Sequence, residues 1–243
     1  MKRLFITGTD TGVGKTVVTA GLAAWCRQEG IDAGVLKPVE TGVENGIPKD
    51  GRFHKQAADL EESLDEIVPV QYDEPLAPSV AAERANRPVP MNRIQEAFEK
   101  QSEDHDLLFV EGAGGLLVPV NEQKTMADLA TAWRLPTLIV SRPSLGTLNH
   151  SALTVEVARQ HGLMVPGIVI SGFPDEPDTA ERTNPAELER LTGVSVLGKL
   201  PVIDGIDTDG EPDEAVVEQL VESVGQTVKL REVLPELLVN HIF

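Results

Sequence analysis

Residues Gly8-Thr9-Asp10-Thr11-Gly12-Val13-Gly14-Lys15-Thr16 join an apolar strand pattern at 4–7 to a helical pattern at 15–28. Glycines at such a strand-to-helix junction let backbone N–H groups turn inward around an anion, and the start of the helix adds partial positive charge. The lysine supplies a full charge, and the threonine supplies a hydroxyl ligand for a metal ion. The motif therefore predicts a P-loop that binds the phosphates of a nucleoside triphosphate together with Mg²⁺.

Short apolar runs recur along the chain and have the length of buried strands, at 4–7, 33–36, 107–110, 137–141, 165–171 and 194–197. Helical patterns separate several of these runs, at 15–28, 126–133, 148–161 and 185–191. This alternation is typical of a parallel sheet that is covered by helices on both faces. We therefore expect a doubly wound α/β fold of the P-loop NTPase type, with a mostly parallel sheet.

The length of 243 residues fits one large α/β domain, and 41% hydrophobic residues are enough for a continuous core. We expect a single domain over 1–243 with an irregular insertion at about 42–90, where prolines are frequent and one helix near 53–64 is indicated. This insertion is expected to lie over the site. Acidic, turn-rich segments at 174–178 and 204–213 are interpreted as solvated loops and not as metal sites.

The composition narrows the class of partner. The 39 acidic and 21 basic residues give a formal charge of −18, which argues against binding nucleic acid or an anionic membrane. We therefore expect a small-molecule partner. Cys26 is the only cysteine, so an intrachain disulfide or a cysteine metal cluster is excluded. The first residues show no apolar leader and no run is long enough to span a bilayer, which predicts a cytoplasmic protein.

Two further charged residues follow predicted strands, at the sheet edge where ligands of such folds bind. Glu111 ends the run 107–110 and precedes Gly-Ala-Gly-Gly, so it is a candidate ligand of Mg²⁺. Lys37 follows the run 33–36 and opens the sequence Lys-Pro-Val-Glu-Thr-Gly. Its ammonium group can stabilise charge that develops during phosphorylation. Lys15 and Lys37 together indicate phosphoryl transfer chemistry, and not only a nucleotide-dependent switch.

These motifs, together with Leu-Gly-Thr-Leu-Asn-His at 145–150, occur in the order found in dethiobiotin synthetases, and the sequence resembles that family up to about residue 200. Five residues separate Gly8 from Gly14, where the usual Walker pattern has four, and this longer loop is a feature of the family. The resemblance implies an ATP- and Mg²⁺-dependent ligase of biotin biosynthesis. Its substrates would be 7,8-diaminopelargonate (7,8-diaminononanoate) and CO₂, and its products dethiobiotin, ADP and phosphate.

The resemblance also implies a reaction route. One substrate amine captures CO₂ as a carbamate, ATP phosphorylates the carbamate, and the other amine attacks to close the ureido ring. Lys15 and Lys37 would be the catalytic residues, and no protein nucleophile is needed. Mg²⁺ would be held by Thr16, Asp50 and Glu111, with Asp59 as the alternative to Asp50.

The remaining site residues implied by the resemblance bind nucleotide or substrate. Those for the nucleotide are Thr11, Gly12, Val13, Gly14, Lys15, Thr16, Ser171 and Pro201. Those for the substrate are Thr41, Gly114, Gly146, Thr147 and Asn149. The last three open a helix whose N-terminus, in the family, receives the substrate carboxylate across a homodimer interface, an arrangement consistent with the partial positive charge there.

Two positions depart from the family pattern. Ser171 stands where the family often has an asparagine that reads the adenine edge, and a hydroxyl cannot present the paired donor and acceptor of an amide. The sequence therefore predicts weak discrimination between bases. A tyrosine that contacts the substrate carboxylate in family members has no counterpart near 183–187, since Tyr72 is the only tyrosine.

Other classes of protein fit the sequence less well. A related synthetase of the cobyrinic acid synthase type would carry a glutaminase region, and Cys26 in the first predicted helix is poorly placed as its nucleophile. A partitioning-type ATPase switch has an extra lysine early in the P-loop, where Asp10 stands here, and often ends in a basic amphipathic helix, unlike residues 231–238. The guanine-reading motif of GTPases is absent from the sequence.

A hydrolase is also disfavoured, because the sequence contains neither a Gly-x-Ser-x-Gly elbow nor a His-Glu-x-x-His zinc motif. Of the five histidines, we treat all but His150 as structural or solvated; the others are His54, His105, His161 and His241.

Overall fold

The computed structural model describes residues 3–210 and 212–233, so His241 and most of the segment 231–238 lie outside the described residues. Its strands are β1 (Arg3–Gly8), β2 (Ala33–Leu36), β3 (Glu40–Thr41), β4 (Gln71–Tyr72), β5 (Leu107–Glu111), β6 (Thr137–Ser141), β7 (Ile168–Phe173) and β8 (Val196–Pro201). Its helices are α1 (Lys15–Gln28), α2 (Lys49–Ala57), α3 (Leu64–Ile67), α4 (Pro78–Arg84), α5 (Met91–Asp104), α6 (Met126–Ala132), α7 (Thr147–Gln160), α8 (Thr179–Thr192), α9 (Glu214–Thr227) and α10 (Leu230–Val233).

Six strands form one parallel sheet in the order β2-β5-β1-β6-β7-β8. The two short strands β3 and β4 pair in parallel in a separate sheet. The expected α/β fold with a mostly parallel sheet is therefore confirmed. Because β1 lies between β5 and β6, the loop that follows β1 leaves the sheet near its centre.

The core is divided between the two faces of the sheet, as the alternation of side chains along a strand requires. Leu4 and Ile6 of β1 pack with α1 and α9 on one face, whereas Phe5 points into the cluster on the opposite face. Strand β5 alternates in the same way, with Leu107 on the first face and Leu108 on the second. Burial on both faces explains why these strands are apolar throughout and do not alternate with polar residues.

The strand order brings the predicted site residues together. The P-loop follows β1, Lys37 follows β2, and Glu111 is the last residue of β5. These three strands are neighbours in a parallel sheet, so their carboxyl ends meet at one edge. The phosphate-binding loop, the second lysine and the carboxylate consequently share one edge of the molecule.

Some predicted bounds differ from the structure because caps decide where helices begin. The helix predicted at 185–191 begins earlier, at Thr179, where Asp178 and Glu181 form a reciprocal capping box, and Pro185 lies inside it. The helix predicted near 53–64 is α2, which begins at Lys49 and ends at Ala57. The insertion at 42–90 is also more regular than expected, since it contains α2, α3, β4 and α4.

Two long helices, α5 and α9, were not predicted from the sequence. Helix α5 presents a narrow apolar stripe, which buries Ile94 and Phe98. Helix α9 buries Leu220, Val221 and Val224, and its other valines pack against the same cluster. Within residues 3–210 and 212–233, no helix combines the length and the apolar character needed to cross a membrane.

Candidate active site

The P-loop depends on the conformation of its glycines. Gly12 and Gly14 have φ values of 73° and 94°, a region that side-chain-bearing residues rarely adopt. A Cβ atom at Gly14 would also lie 2.3 Å from the Oγ of Ser171, on the loop side of β7. Glycine at position 14 is therefore required both by its backbone angle and by the close approach of Ser171.

Lys15 is the first residue of α1 and is 6% exposed. Its Nζ lies 3.5 Å from the carbonyl oxygen of Asp10, within the loop itself. Burial lowers the pKa of Lys15, although the nearby carboxylate of Glu111 opposes this shift. A phosphate group bound in the loop would favour the charged form of this lysine. Thr11 and Gly12 are exposed at the mouth of the loop, and Val13 is buried.

A cluster of four side chains occupies the sheet edge beside the P-loop. The Nζ of Lys37 contacts the carboxylate of Asp50 and lies 2.7 Å from Oε1 of Glu111. The Thr16 hydroxyl oxygen lies 3.1 Å from Oδ1 of Asp50 and 3.2 Å from Oε1 of Glu111. Carboxylate oxygens from α2 and β5 thus meet at the Lys37 ammonium, and the Thr16 hydroxyl of α1 contacts both carboxylates. We refer to these four residues as the ionic cluster.

The ionic cluster is held in its charged form by mutual attraction. Burial alone would raise the pKa of Glu111, but the positive charge of Lys37 and the proximity of His54 lower it well below the usual range. Burial likewise opposes the charge on Lys37, and the carboxylates of Asp50 and Glu111 more than reverse this effect, so its pKa is raised. A carboxylate and an ammonium group therefore coexist in an interior where either alone would be unstable.

The sequence left the choice between Asp50 and Asp59 open, and the two residues lie in different places. Asp50 is in the first turn of α2 and belongs to the ionic cluster. Asp59 follows the end of α2 with a φ of 49°, is exposed, and its carbonyl oxygen accepts a hydrogen bond from Arg27. Geometry therefore favours Asp50 as the candidate metal ligand.

His54 and Glu40 contribute to the site in ways that the sequence did not indicate. His54 is fully buried, and its Nε2 lies 2.9 Å from Oε2 of Glu111. Glu40 accepts the backbone N–H groups of Asp50 and Gly51. The spacing of His54 four residues after Asp50 was an available signal, because residues at i and i+4 share one face of a helix.

The donor set of the ionic cluster fits Mg²⁺. Two carboxylates and a hydroxyl are hard oxygen ligands, and Mg²⁺ takes its remaining ligands from phosphates and water. Among residues 3–210 and 212–233, no group of three or more histidine, cysteine, aspartate or glutamate side chains is arranged to hold a metal. The cluster therefore suits a cation that a nucleotide brings with it.

A cavity of about 900 Å³ opens beside the P-loop and the ionic cluster. Its lining includes Thr41 and Gly114, both predicted to bind substrate, and residues 75–78 of the insertion. This part of the segment 42–90 thus lines the same cavity as the P-loop. Residues 206–209 also line the cavity, although the sequence indicated only a solvated acidic loop there. This segment has no motif of its own and reaches the site through the fold.

The remaining predicted site residues lie apart from this cavity. Ser171 touches the P-loop at Gly14, and Pro201 pairs with the end of β7 at Phe173. Gly146 precedes α7 with a φ of 93°, Thr147 is its first residue, and Asn149 is exposed in its first turn. As far as the chain is described, the lining of the cavity includes none of these residues of α7.

Known proteins with a similar sequence or fold belong to the class of protein that this geometry indicates. The family described as AAA domain matches residues 2–209. The fold is similar to the MinC:MinD cell division complex of Aquifex aeolicus, with a TM-score of 0.55 at 14% identity over 93% of this chain and 95% of the other. A ParA family ATPase from Chlorobium tepidum has a TM-score of 0.50 at 17% identity, over 97% of this chain and 94% of the other. The fold and the loop define a P-loop NTPase.

Sequence relatives narrow this class to one family. The protein named ATP-dependent dethiobiotin synthetase BioD from Bacillus velezensis is 43% identical to this chain, over 86% of this chain and 90% of the relative. The protein of that name from Anaeromyxobacter sp. is 46% identical over 82% of this chain and 90% of the relative. The one from Aquifex aeolicus is 44% identical over 84% of this chain and 91% of the relative. The chain belongs to the ATP-dependent dethiobiotin synthetase family.

Proposed function

We propose that this protein is an ATP-dependent ligase of biotin biosynthesis that carboxylates and cyclises 7,8-diaminopelargonate with CO₂, giving dethiobiotin, ADP and phosphate. The observation that carries the proposal is the ionic cluster. In this cluster Lys37, which follows β2, lies with the proposed Mg²⁺ ligands and beside Lys15. In the sheet β2 is separated from the P-loop strand β1 by one strand. The cluster borders a cavity with room for a second substrate. Two lysines on one transferring group are suited to an acceptor that is itself an anion.

The P-loop would hold the phosphates of ATP through its inward backbone N–H groups and the ammonium of Lys15. Thr16, Asp50 and Glu111 would hold Mg²⁺, and the metal would neutralise charge on the phosphate oxygens during transfer. The distances of 3.1 and 3.2 Å from the Thr16 hydroxyl to the two carboxylates support a shared ligand set.

The acceptor of the phosphoryl group would be the carbamate formed from one substrate amine and CO₂. Lys37 would neutralise the carbamate and the transferring phosphoryl group, and the Thr41 hydroxyl and the Gly114 backbone would orient the substrate. Attack of the second amine on the carbamoyl carbon then expels phosphate and closes the ring. The chain contributes charge and orientation, and no covalent intermediate with the protein is required.

The nucleoside would lie toward the loop side of β7 and β8, near Ser171 and Pro201. The contact between Ser171 and Gly14 supports this position, because it places the end of β7 directly against the P-loop. Phosphates and Mg²⁺ would supply most of the binding free energy, and the serine hydroxyl would add little discrimination between bases.

We further propose a cytoplasmic homodimer in which Gly146, Thr147 and Asn149 of one protomer bind the substrate carboxylate of its partner. Two observations support the interface: these residues open the 14-residue helix α7, and Leu145 and Leu153 beside them are 79% and 58% exposed. Light scattering at assay dilution should give the mass of two chains. An active monomer at that dilution would contradict the proposal.

The direct test of the reaction is incubation of the protein with ATP, Mg²⁺, bicarbonate and diaminopelargonate, followed by mass spectrometry. Dethiobiotin is expected only when all four components are present, in equal amount with ADP. A protein that releases ADP at the same rate without diaminopelargonate, and forms no dethiobiotin, would be an ATPase switch and not a ligase.

A further inference from the structure

Glu40 is a buried carboxylate at the edge of the site, 5% exposed, to which the proposed reaction gives no task. Both of its oxygen atoms are engaged by backbone groups of one helix. Oε1 accepts the N–H of Asp50 at 3.0 Å, and Oε2 accepts the N–H of Gly51 at 3.1 Å. Glu40 therefore caps the first turn of α2 from outside the helix.

Helix α2 depends on this cap because it has none of its own. The residue at its N-cap position is Pro48, which makes no side-chain capping hydrogen bond. The first N–H groups of a helix lack intrahelical partners and need an external acceptor when they are buried. A carboxylate is a good acceptor here, since it also interacts favourably with the partial positive charge of the helix start. Glu40 thus ties α2 to strand β3.

Helix α2 in turn carries two residues to Glu111. Asp50, whose own N–H is bonded to Glu40, joins the ionic cluster through Thr16. His54, one turn later, contacts Glu111 from the same face of the helix. The position of the first turn of α2 therefore sets the position of the Asp50 carboxylate relative to the other oxygen ligands.

We propose that Glu40 is a positioning residue of the Mg²⁺ site, which acts by fixing Asp50 and does not touch the metal itself. The inference rests on the assignment of Mg²⁺ to Thr16, Asp50 and Glu111 in the proposed function. Both oxygens of Glu40 accept N–H groups of the first turn of α2, so the contacts of this carboxylate are with the helix start. Groups that orient metal ligands commonly influence metal affinity by about 10- to 100-fold.

The test is the variant Glu40→Gln, which keeps the size of the side chain but replaces one acceptor oxygen with an NH₂ group facing a backbone N–H. Its matched control is Glu44→Gln, an exposed glutamate that pairs with Lys49 of the same helix but caps nothing in it. Titration calorimetry would measure ATP binding without metal, and then Mg²⁺ binding to the ATP complex. Assays would give the apparent KM for Mg²⁺ and kcat.

Glu40→Gln should weaken Mg²⁺ binding about tenfold and raise the KM for Mg²⁺ by a similar factor, with a much smaller change in kcat and in metal-free ATP binding. Glu44→Gln should match the wild type. In the background of Asp50→Asn, Glu40→Gln should cause little further loss, because Glu40 acts through Asp50. Melting curves would verify that each variant is folded at the assay temperature.

Two results would overturn the inference, and they have different meanings. If Asp50→Asn weakens Mg²⁺ binding but Glu40→Gln does not, or if their losses are additive, the positioning role is wrong and the proposed function stands. If neither variant changes Mg²⁺ affinity, the assignment of the metal to Asp50 fails together with the role of Glu40. Dethiobiotin formation by the wild type is measured separately and decides the function itself.

Discussion

The proposed function gives Lys37 two roles that follow from one position. Its ammonium lies between the carboxylates of Asp50 and Glu111, and Glu111 is fully buried. Before a nucleotide brings Mg²⁺, this single positive charge compensates much of the negative charge at the metal site. The same charge is available to a phosphoryl acceptor in the adjoining cavity. The residue is therefore part of both the stability and the chemistry of the site.

Replacing Lys37 should test both roles. Lys37→Ala and Lys15→Ala should each lower turnover by about 100-fold or more, because each removes a preorganised charge from the transferring phosphoryl group. Lys37→Ala should also destabilise the protein by roughly 3 kcal/mol at neutral pH, since it leaves Glu111 buried without its partner. Chemical denaturation and steady-state assays measure the two effects. Turnover close to the wild type would remove that lysine from the mechanism.

The stability effect has a defined pH dependence. In the wild type the pKa of Glu111 is lowered, so its contribution to stability is present above the ordinary glutamate range and is lost as the pH falls. Lys37→Ala removes that contribution. The difference in unfolding free energy between wild type and variant should therefore be fully present above about pH 5 and shrink as the pH falls from there toward about pH 2. A difference that stays constant over this range would show that Glu111 and Lys37 are not coupled.

With Ser171 at this position, the protein should discriminate only weakly between nucleobases. A hydroxyl offers less paired hydrogen bonding than an amide, so GTP, CTP and UTP should replace ATP with modest loss of kcat/KM. Ser171→Asn is the matched comparison and should increase the preference for ATP. If the wild type already prefers ATP over all three by more than about a hundredfold, other groups read the base.

At the scale of elements, the sequence predicted β1, the P-loop and α1 well because local signals coincide there. Apolar periodicity, glycine spacing and the Gly-Lys-Thr start of the helix all indicate the same boundary. Helix α2 was misplaced because its start is set by Glu40, which lies ten residues upstream on another element. Helix α5 was missed because its buried stripe is narrow. Boundaries set by tertiary contacts leave little trace in a local pattern.

The candidate site divides in the same way. Lys15 was predicted from the P-loop motif after β1, and Lys37 and Glu111 from their positions at the ends of buried strands, since parallel strands end at one edge. His54 and the segment 206–209 were not, since their place at the site depends on how α2 and the loop after β8 pack. The sequence thus predicts the site residues at the ends of strands, and the structure adds the residues of α2 and of the loop after β8 that pack against them.

The P-loop conformation gives a prediction at this scale with a built-in control. Gly14→Ala should abolish tight nucleotide binding, because its φ of 94° disfavours a side chain and its Cβ would lie 2.3 Å from the Oγ of Ser171. Gly12→Ala has a similar φ of 73°, but its Cβ would meet open space. In the nucleotide-free protein Gly12→Ala should therefore cost only backbone strain, about 1–2 kcal/mol, and Gly14→Ala should cost more because the clash with Ser171 is added. Equal losses of unfolding free energy in chemical denaturation would contradict this distinction.

At the scale of the whole molecule, the formal charge of −18 on 243 residues implies net self-repulsion in dilute buffer. The Debye length falls from about 10 Å at 0.1 M salt to about 3 Å at 1 M, so added salt screens most of this repulsion. The melting temperature should therefore rise in KCl between about 0.05 and 2 M. Salt also promotes burial of apolar surface, so a charge-specific control is needed.

The control reduces the charge without changing the fold. Glutamine would replace exposed glutamates such as Glu61, Glu96, Glu103 and Glu218. This variant should melt at a higher temperature than the wild type at low salt and should gain less from added KCl. If it melts no higher at low salt, and the wild type does not respond to KCl, self-repulsion is not a significant factor in stability.

The proposed reaction transfers the γ-phosphoryl group of ATP to a substrate carbamate. It is tested most directly by a rapid reaction with ¹⁸O-labelled bicarbonate in unlabelled water. Ring closure expels phosphate together with the oxygen that joined it to the carbamoyl carbon, and this oxygen comes from CO₂. One ¹⁸O atom is expected in the phosphate released with each dethiobiotin, before the label exchanges with water. Phosphate released without label would mean that water, and not a carbamate, accepts the phosphoryl group.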